Sequence, residues 1–77
     1  MNNTHVITHT DIIIAASFCG NNGFKIIIVQ NEQVLEELIS YGVEETANKL
    51  IVFQTQYYNE VIESEDILHK ELTSLVI

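Results

Sequence analysis

Residues 11–30, DIIIAASFCGNNGFKIIIVQ, decide how the chain is read. Two apolar runs flank Gly20-Asn21-Asn22-Gly23, and this predicts a β-hairpin, because Asn and Gly tolerate the positive φ that tight hairpin turns need. Two turns fit: a tight Asn22-Gly23 type I′ turn, or a four-residue loop from Gly20 to Gly23. Alternation along the first strand puts Ile12, Ile14, Ala16 and Phe18 on one face and Ile13, Ala15 and Ser17 on the other. On the second strand the sets are Phe24, Ile26, Ile28 and Lys25, Ile27, Val29. Neither face is polar, so both are expected to be covered. Helices of this chain can take one face. The other calls for more strands, a further helix layer or a second copy.

Working outward, residues 1–10, MNNTHVITHT, are polar and read as a frayed end or a short strand. After the hairpin, Asn31 is a good N-cap, and Val34, Leu35, Leu38 and Ile39 make a helical stripe. Gly42 stands where a C′ glycine belongs, so a first helix is expected over about 32–41. In 43–63, Ala47, Leu50, Ile51, Gln54, Tyr58, Val61 and Ile62 follow helical spacing, with Glu44 and Glu45 suited to a first turn. This predicts a second helix over about 44–62. Its rival is a strand near 49–56, since Leu50-Ile51-Val52-Phe53 favours β structure. Ser64 is the next N-cap, with Glu65 and Asp66 in the first turn and Ile67, Leu68, Leu72, Leu75 and Val76 as the apolar face. A third helix is expected over about 65–75. The whole, 1–77, reads as one α+β domain: a hairpin followed by two or three helices.

The chain has 77 residues and a single cysteine, so no internal disulfide can supplement its small core. Oligomerisation is the usual remedy, and with two apolar hairpin faces it points to a homodimer. Met1 is followed by no positively charged segment, so no signal peptide is expected, and no apolar run approaches the ~20 residues of a membrane span. A cytoplasmic protein fits these features.

Eleven acids face three lysines, for a net charge of −8. Asp11 and Lys25 cancel in the first 31 residues. From Glu32 onward, ten acids and two lysines leave the full −8. Such a chain repels nucleic acid and anionic membranes and attracts basic partners. Catalytic readings are thin. Cys19 with His5 or His9 lacks a group to orient the base, and the Gly20–Gly23 turn lacks the lysine of a phosphate loop. His5 and His9 alone make a weak metal pair. Neither an enzyme nor a metal or cofactor is expected.

The acids are the informative residues. Carboxylates on neighbouring helix turns sit about 5–6 Å apart, and duplex DNA carries one charge per about 1.7 Å of axis. A row of carboxylates can therefore stand in for phosphates on a DNA-binding surface. The expected partner-binding residues are Glu36, Glu37, Glu44, Glu45, Glu60, Glu63, Glu65, Asp66 and Glu71. In size and in the charge layout of residues 32–71, the chain resembles the small acidic proteins that phages make to disable host machinery, some of which imitate DNA. That resemblance implies a basic DNA-binding protein of the bacterial host as target, such as a histone-like nucleoid protein or a nuclease, met in the host cytoplasm. It rests on no motif and assigns no residue a role. Two other classes compete. One is an interaction or assembly module binding through apolar helix faces, with Tyr41, Tyr57 and Tyr58 as anchors. The other is an antitoxin-like protein that neutralises a basic toxin. The charge equally fits a solvated surface that keeps a small protein soluble.

Overall fold

The computed structural model describes residues 3–77; Met1 and Asn2, the start of the stretch read as frayed or strand, lie outside them. The element order is β1 (Thr4–His9), β2 (Ile12–Gly20), β3 (Gly23–Gln30), β4 (Gln33–Tyr41), α1 (Val43–Tyr58) and α2 (Glu65–Val76). The strands form one antiparallel sheet in the order β1-β2-β3-β4. The fold is α+β, with two helices after the sheet.

The hairpin is present as β2–β3, with Ile14 opposite Ile28 and Phe18 opposite Phe24. Gly20 pairs with Gly23, so the turn residues are Asn21 and Asn22, at φ 51° and 62°. Positive φ at both centres is what a type I′ turn requires. The turn is thus Asn21-Asn22, one residue before the Asn22-Gly23 reading and two residues long rather than the four of a Gly20–Gly23 loop; Cys19 is bulged out between Phe18 and Gly20. The N-terminal stretch adds β1, which lays Ile7 opposite Ile14.

The helix expected over 32–41 is a strand, and the reason is a second bulge. From Ile28 opposite Glu36 the register passes to Val29 opposite Val34, which leaves Leu35 unpaired. The extra residue breaks the period of two and puts Val34-Leu35 and Leu38-Ile39 at helix-like spacing. Asn31 is no N-cap. With Glu32 it forms the β3–β4 turn, at φ 51° and 67°, between paired Gln30 and Gln33. Glutamate in the left-handed region costs about 1 kcal/mol that glycine avoids. Glu32→Gly, which makes the turn Asn-Gly, is expected to stabilise the fold by about 0.5–1 kcal/mol, read as a higher urea midpoint at unchanged slope.

Gly42 is likewise not a helix C′ residue. It is the only residue between β4 and α1. Its amide donates to Asn22 O at 2.8 Å, and its carbonyl accepts from Thr46 N. Over 43–58 the helical reading holds and the strand reading near 49–56 fails. The helix stops at Tyr58 rather than at 62, because Asn59 adopts the left-handed conformation (φ 62°, ψ 19°) and its N–H closes on Thr55 O. α2 begins as its cap predicts: Ser64 Oγ accepts from Ile67 N.

Both helices cover the same face of the sheet. Ile7, Ile14, Ala16, Phe24, Ile26 and Ile28 pack with Ala47, Leu50, Phe53, Tyr58, Leu68 and Leu72 in one core. Tyr58 Oη reaches Ile7 O at 3.0 Å and Ile12 O at 2.7 Å, which pins the end of α1 to the β1–β2 corner. Burial raises the Tyr58 pKa above its ordinary value. The opposite face bears the other alternation set, which includes Val6, Ile13, Ile27, Val34 and Ile39. No element among the described residues covers it.

Candidate partner-binding surface

The nine carboxylates singled out above do not share one side. Glu36 lies on the helix-facing side of β4, opposite Ile28, and accepts a hydrogen bond from Tyr57 Oη. That bond, ahead of partial burial, raises the Tyr57 pKa. Glu37 lies on the opposite side of the sheet and pairs with Lys25 at 2.5 Å. Its hydrogen bond and charge raise the Lys25 pKa.

Glu44 and Glu45 open α1 beside the β2–β3 turn. Glu45 is turned back to the strand: its Oε2 accepts from Tyr41 N and from Ser40 Oγ, both at 3.1 Å. These two bonds, the backbone one first, hold its pKa below the ordinary carboxylate value. Thr46 Oγ1 donates to Ser40 Oγ at 2.9 Å, so this buried hydroxyl chain is satisfied. An open groove of about 590 Å³ beside it is lined by Tyr41, Glu44, Glu45, Asn48, Lys49 and Val52.

The other five gather in the α1–α2 connection and along α2, which packs on β1 and β2. Two histidines of β1 join them. Glu63 Oε1 lies 2.6 Å from His5 Nε2, and Glu71 Oε1 lies 3.8 Å from His5 Nδ1. Glu60 Oε1 lies 3.2 Å from His9 Nε2, whose ring stands edge-on to Tyr58. Glu65 and Asp66 are exposed at the start of α2 and engage no side-chain partner among the described residues. The connection itself is held by Gln54, which is fully buried in α1. Its Oε1 accepts from Ile62 N at 2.7 Å and Glu63 N at 2.9 Å, and its Nε2 donates to Glu63 O at 3.0 Å.

This places His5 and His9, read from the sequence as a weak metal pair, as partners of carboxylates far along the chain. Only the register of β1 could have revealed that. Among the described residues, no group of three or more His, Cys, Asp or Glu side chains is arranged to hold a metal ion. Cys19 is exposed on its bulge and bonded to neither histidine. Of the three tyrosines, Tyr58 is core, Tyr57 is half-buried against Glu36, and Tyr41 is 63% exposed. Among the described residues, no helix is long and apolar enough to cross a membrane. No protein-family model matches the chain, and no curated protein or solved structure matches it either.

Proposed function

We propose that the chain is a non-catalytic binding protein that occupies the DNA-binding surface of a basic protein, with Glu60, Glu63, Glu65, Asp66 and Glu71 as the phosphate-like anions. One observation carries this reading. The uncovered side of the sheet holds Lys25 and Glu37, which cancel, so the entire −8 lies on the helix layer and the turns. Five of those carboxylates crowd one end of that layer, where Lys70 is the only lysine in the segment. Like charges on neighbouring helix turns cost a few tenths of a kcal/mol per pair. A concentration of them with so little compensation makes sense if a cationic surface supplies the counter-charge. Glu36 and Glu37 on β4, and Glu44 and Glu45 at the start of α1, lie away from this cluster and drop out of the set.

The test is capture of partners from bacterial lysate by the immobilised chain, then competition with duplex DNA. If each of five carboxylates acted as one phosphate, affinity would fall by at most about 500-fold between 50 and 200 mM salt. Replacing three of them (Glu60→Gln, Glu65→Gln, Asp66→Asn) should cut that salt factor to about tenfold. A captured protein that holds duplex DNA and this chain at once rules the reading out. So does binding indifferent to salt.

A further inference from the structure

We infer that the uncovered sheet face is the contact surface of a symmetric dimer, in which two copies stack face to face with their helices outward. The inference does not depend on the acidic surface and would stand if that reading failed.

Two adjacent rows of the face are apolar across their middle (Ile13, Val29 and Val34; Val6, Ala15 and Ile27), where a solvated sheet face would be polar; Thr8 and Glu37 stand at their edges, and Thr4, Ser17 and Lys25 line the next row with Ile39. Val6, Ile13, Val34 and Ile39 are each more than 40% exposed on it, and Ile27 lies half-buried at its centre beside Ala15. Scattered exposed apolar residues need no explanation, but a contiguous sheet of them does. Four strands at about 4.8 Å spacing, with about eight residues each at 3.3 Å, give a footprint of roughly 500 Å². Two such faces together reach the ~1,000 Å² that a specific interface requires.

Charge names the occupant. Two copies each bearing −8 repel through every surface except this one, which is neutral. Among the described residues its only charged side chains, Lys25 and Glu37, are of opposite sign and adjacent. A two-fold axis through the face presents the same patch to itself, so each copy meets both signs and can exchange the pair. Stacked sheets lie about 10 Å apart, and this arrangement sends both acidic helix layers to opposite outer sides. A basic partner would be drawn to the helix layer rather than to this neutral face. A second copy brings the same neutral apolar patch and keeps its own acids on the far side, so it is the occupant that this face fits.

Light scattering over a dilution series should give twice the 8.8 kDa chain mass at tens of micromolar. Ile13→Glu with Ile39→Glu places charge at two already exposed positions. It should raise the dimer dissociation constant at least a hundredfold while leaving the circular dichroism of the monomer intact. Should that variant fail to fold, spin labels decide the matter in a Cys19→Ser background. A label at Ile13→Cys should show an inter-copy distance below about 25 Å, given the 10 Å sheet spacing. A label at His69→Cys on α2 should show a longer one. A monomer at 100 μM, a double variant that dimerises as before, or the reverse order of the two distances overturns the inference.

Discussion

Gly42→Ala is expected to destabilise the protein by about 2 kcal/mol, because at this residue φ is 86° and ψ is 151°. That region is essentially closed to residues with a Cβ, at a cost of order 1–3 kcal/mol. Space is not the issue: a Cβ there would meet only Asn22 Nδ2, at an ordinary 3.7 Å. The cost is torsional, and the topology imposes it. Tyr41 ends β4 and Val43 begins α1, so one residue turns the chain from the sheet edge onto the sheet face. Its amide is also held by Asn22 O, which denies the corner an easy alternative path. For a domain of this size, 1 kcal/mol moves the melting temperature by about 4–8 °C, so the variant should melt roughly 8–16 °C lower. The chain is short enough to synthesise, and D-alanine, whose allowed backbone regions are mirrored, should recover most of the loss. An L-alanine variant that melts with the wild type would mean that the corner is not built as described.

The same corner shows why part of the fold was legible from the sequence and part was not. The β2–β3 hairpin could be read because two apolar runs and an Asn/Gly turn agree with one another. The last two helices could be read because Ser64 caps one and the spacing of Ala47, Leu50 and Gln54 marks the other. β4 was misread because the bulge at Leu35 turns a strand pattern into a helical one over nine residues, and Gly42 then looked like a helix stop. A bulge is a property of pairing with β3, and nothing local records it. The candidate surface divides in the same way. That the acids follow Glu32 is plain in the sequence, but a helix over 32–41 would have put Glu36 and Glu37 on one solvated side. As β4 residues they point to opposite faces of the sheet, one toward Tyr57 and the other toward Lys25. The apolar second face, by contrast, was legible from Ile13, Ala15, Ile27 and Val29 alone, since burial on one side only would have left those positions polar.

Gln54→Leu should cost about 3 kcal/mol. Leucine fits the buried volume, and its greater hydrophobicity works in favour of the variant. Against it stand three backbone groups that lose their partner together: Ile62 N, Glu63 N and Glu63 O. A buried group left unpaired costs about 1–3 kcal/mol, and the lower end applies because Ile62 is 40% exposed and water can reach part of this loop. The loss should also be local before it is global. The loop between Asn59 and Ser64 has no ladder of its own, and among the described residues its backbone is tied to α1 chiefly through this one amide. Hydrogen exchange at Ile62 and Glu63 should therefore accelerate far more than exchange in β2 or β3. Loosening this loop also releases Glu63 from its place beside His5 and Glu60 from beside His9. A partner that reads the carboxylates of this end should then bind Gln54→Leu more weakly, even though no charge has changed. Gln54→Glu separates the two effects: it keeps acceptors for both amides, loses the donor to Glu63 O and buries a charge. If Gln54→Leu matches the wild type in stability and in exchange at Ile62 and Glu63, the amide is not what holds the loop. The fixed presentation of Glu60 and Glu63 would then need another cause.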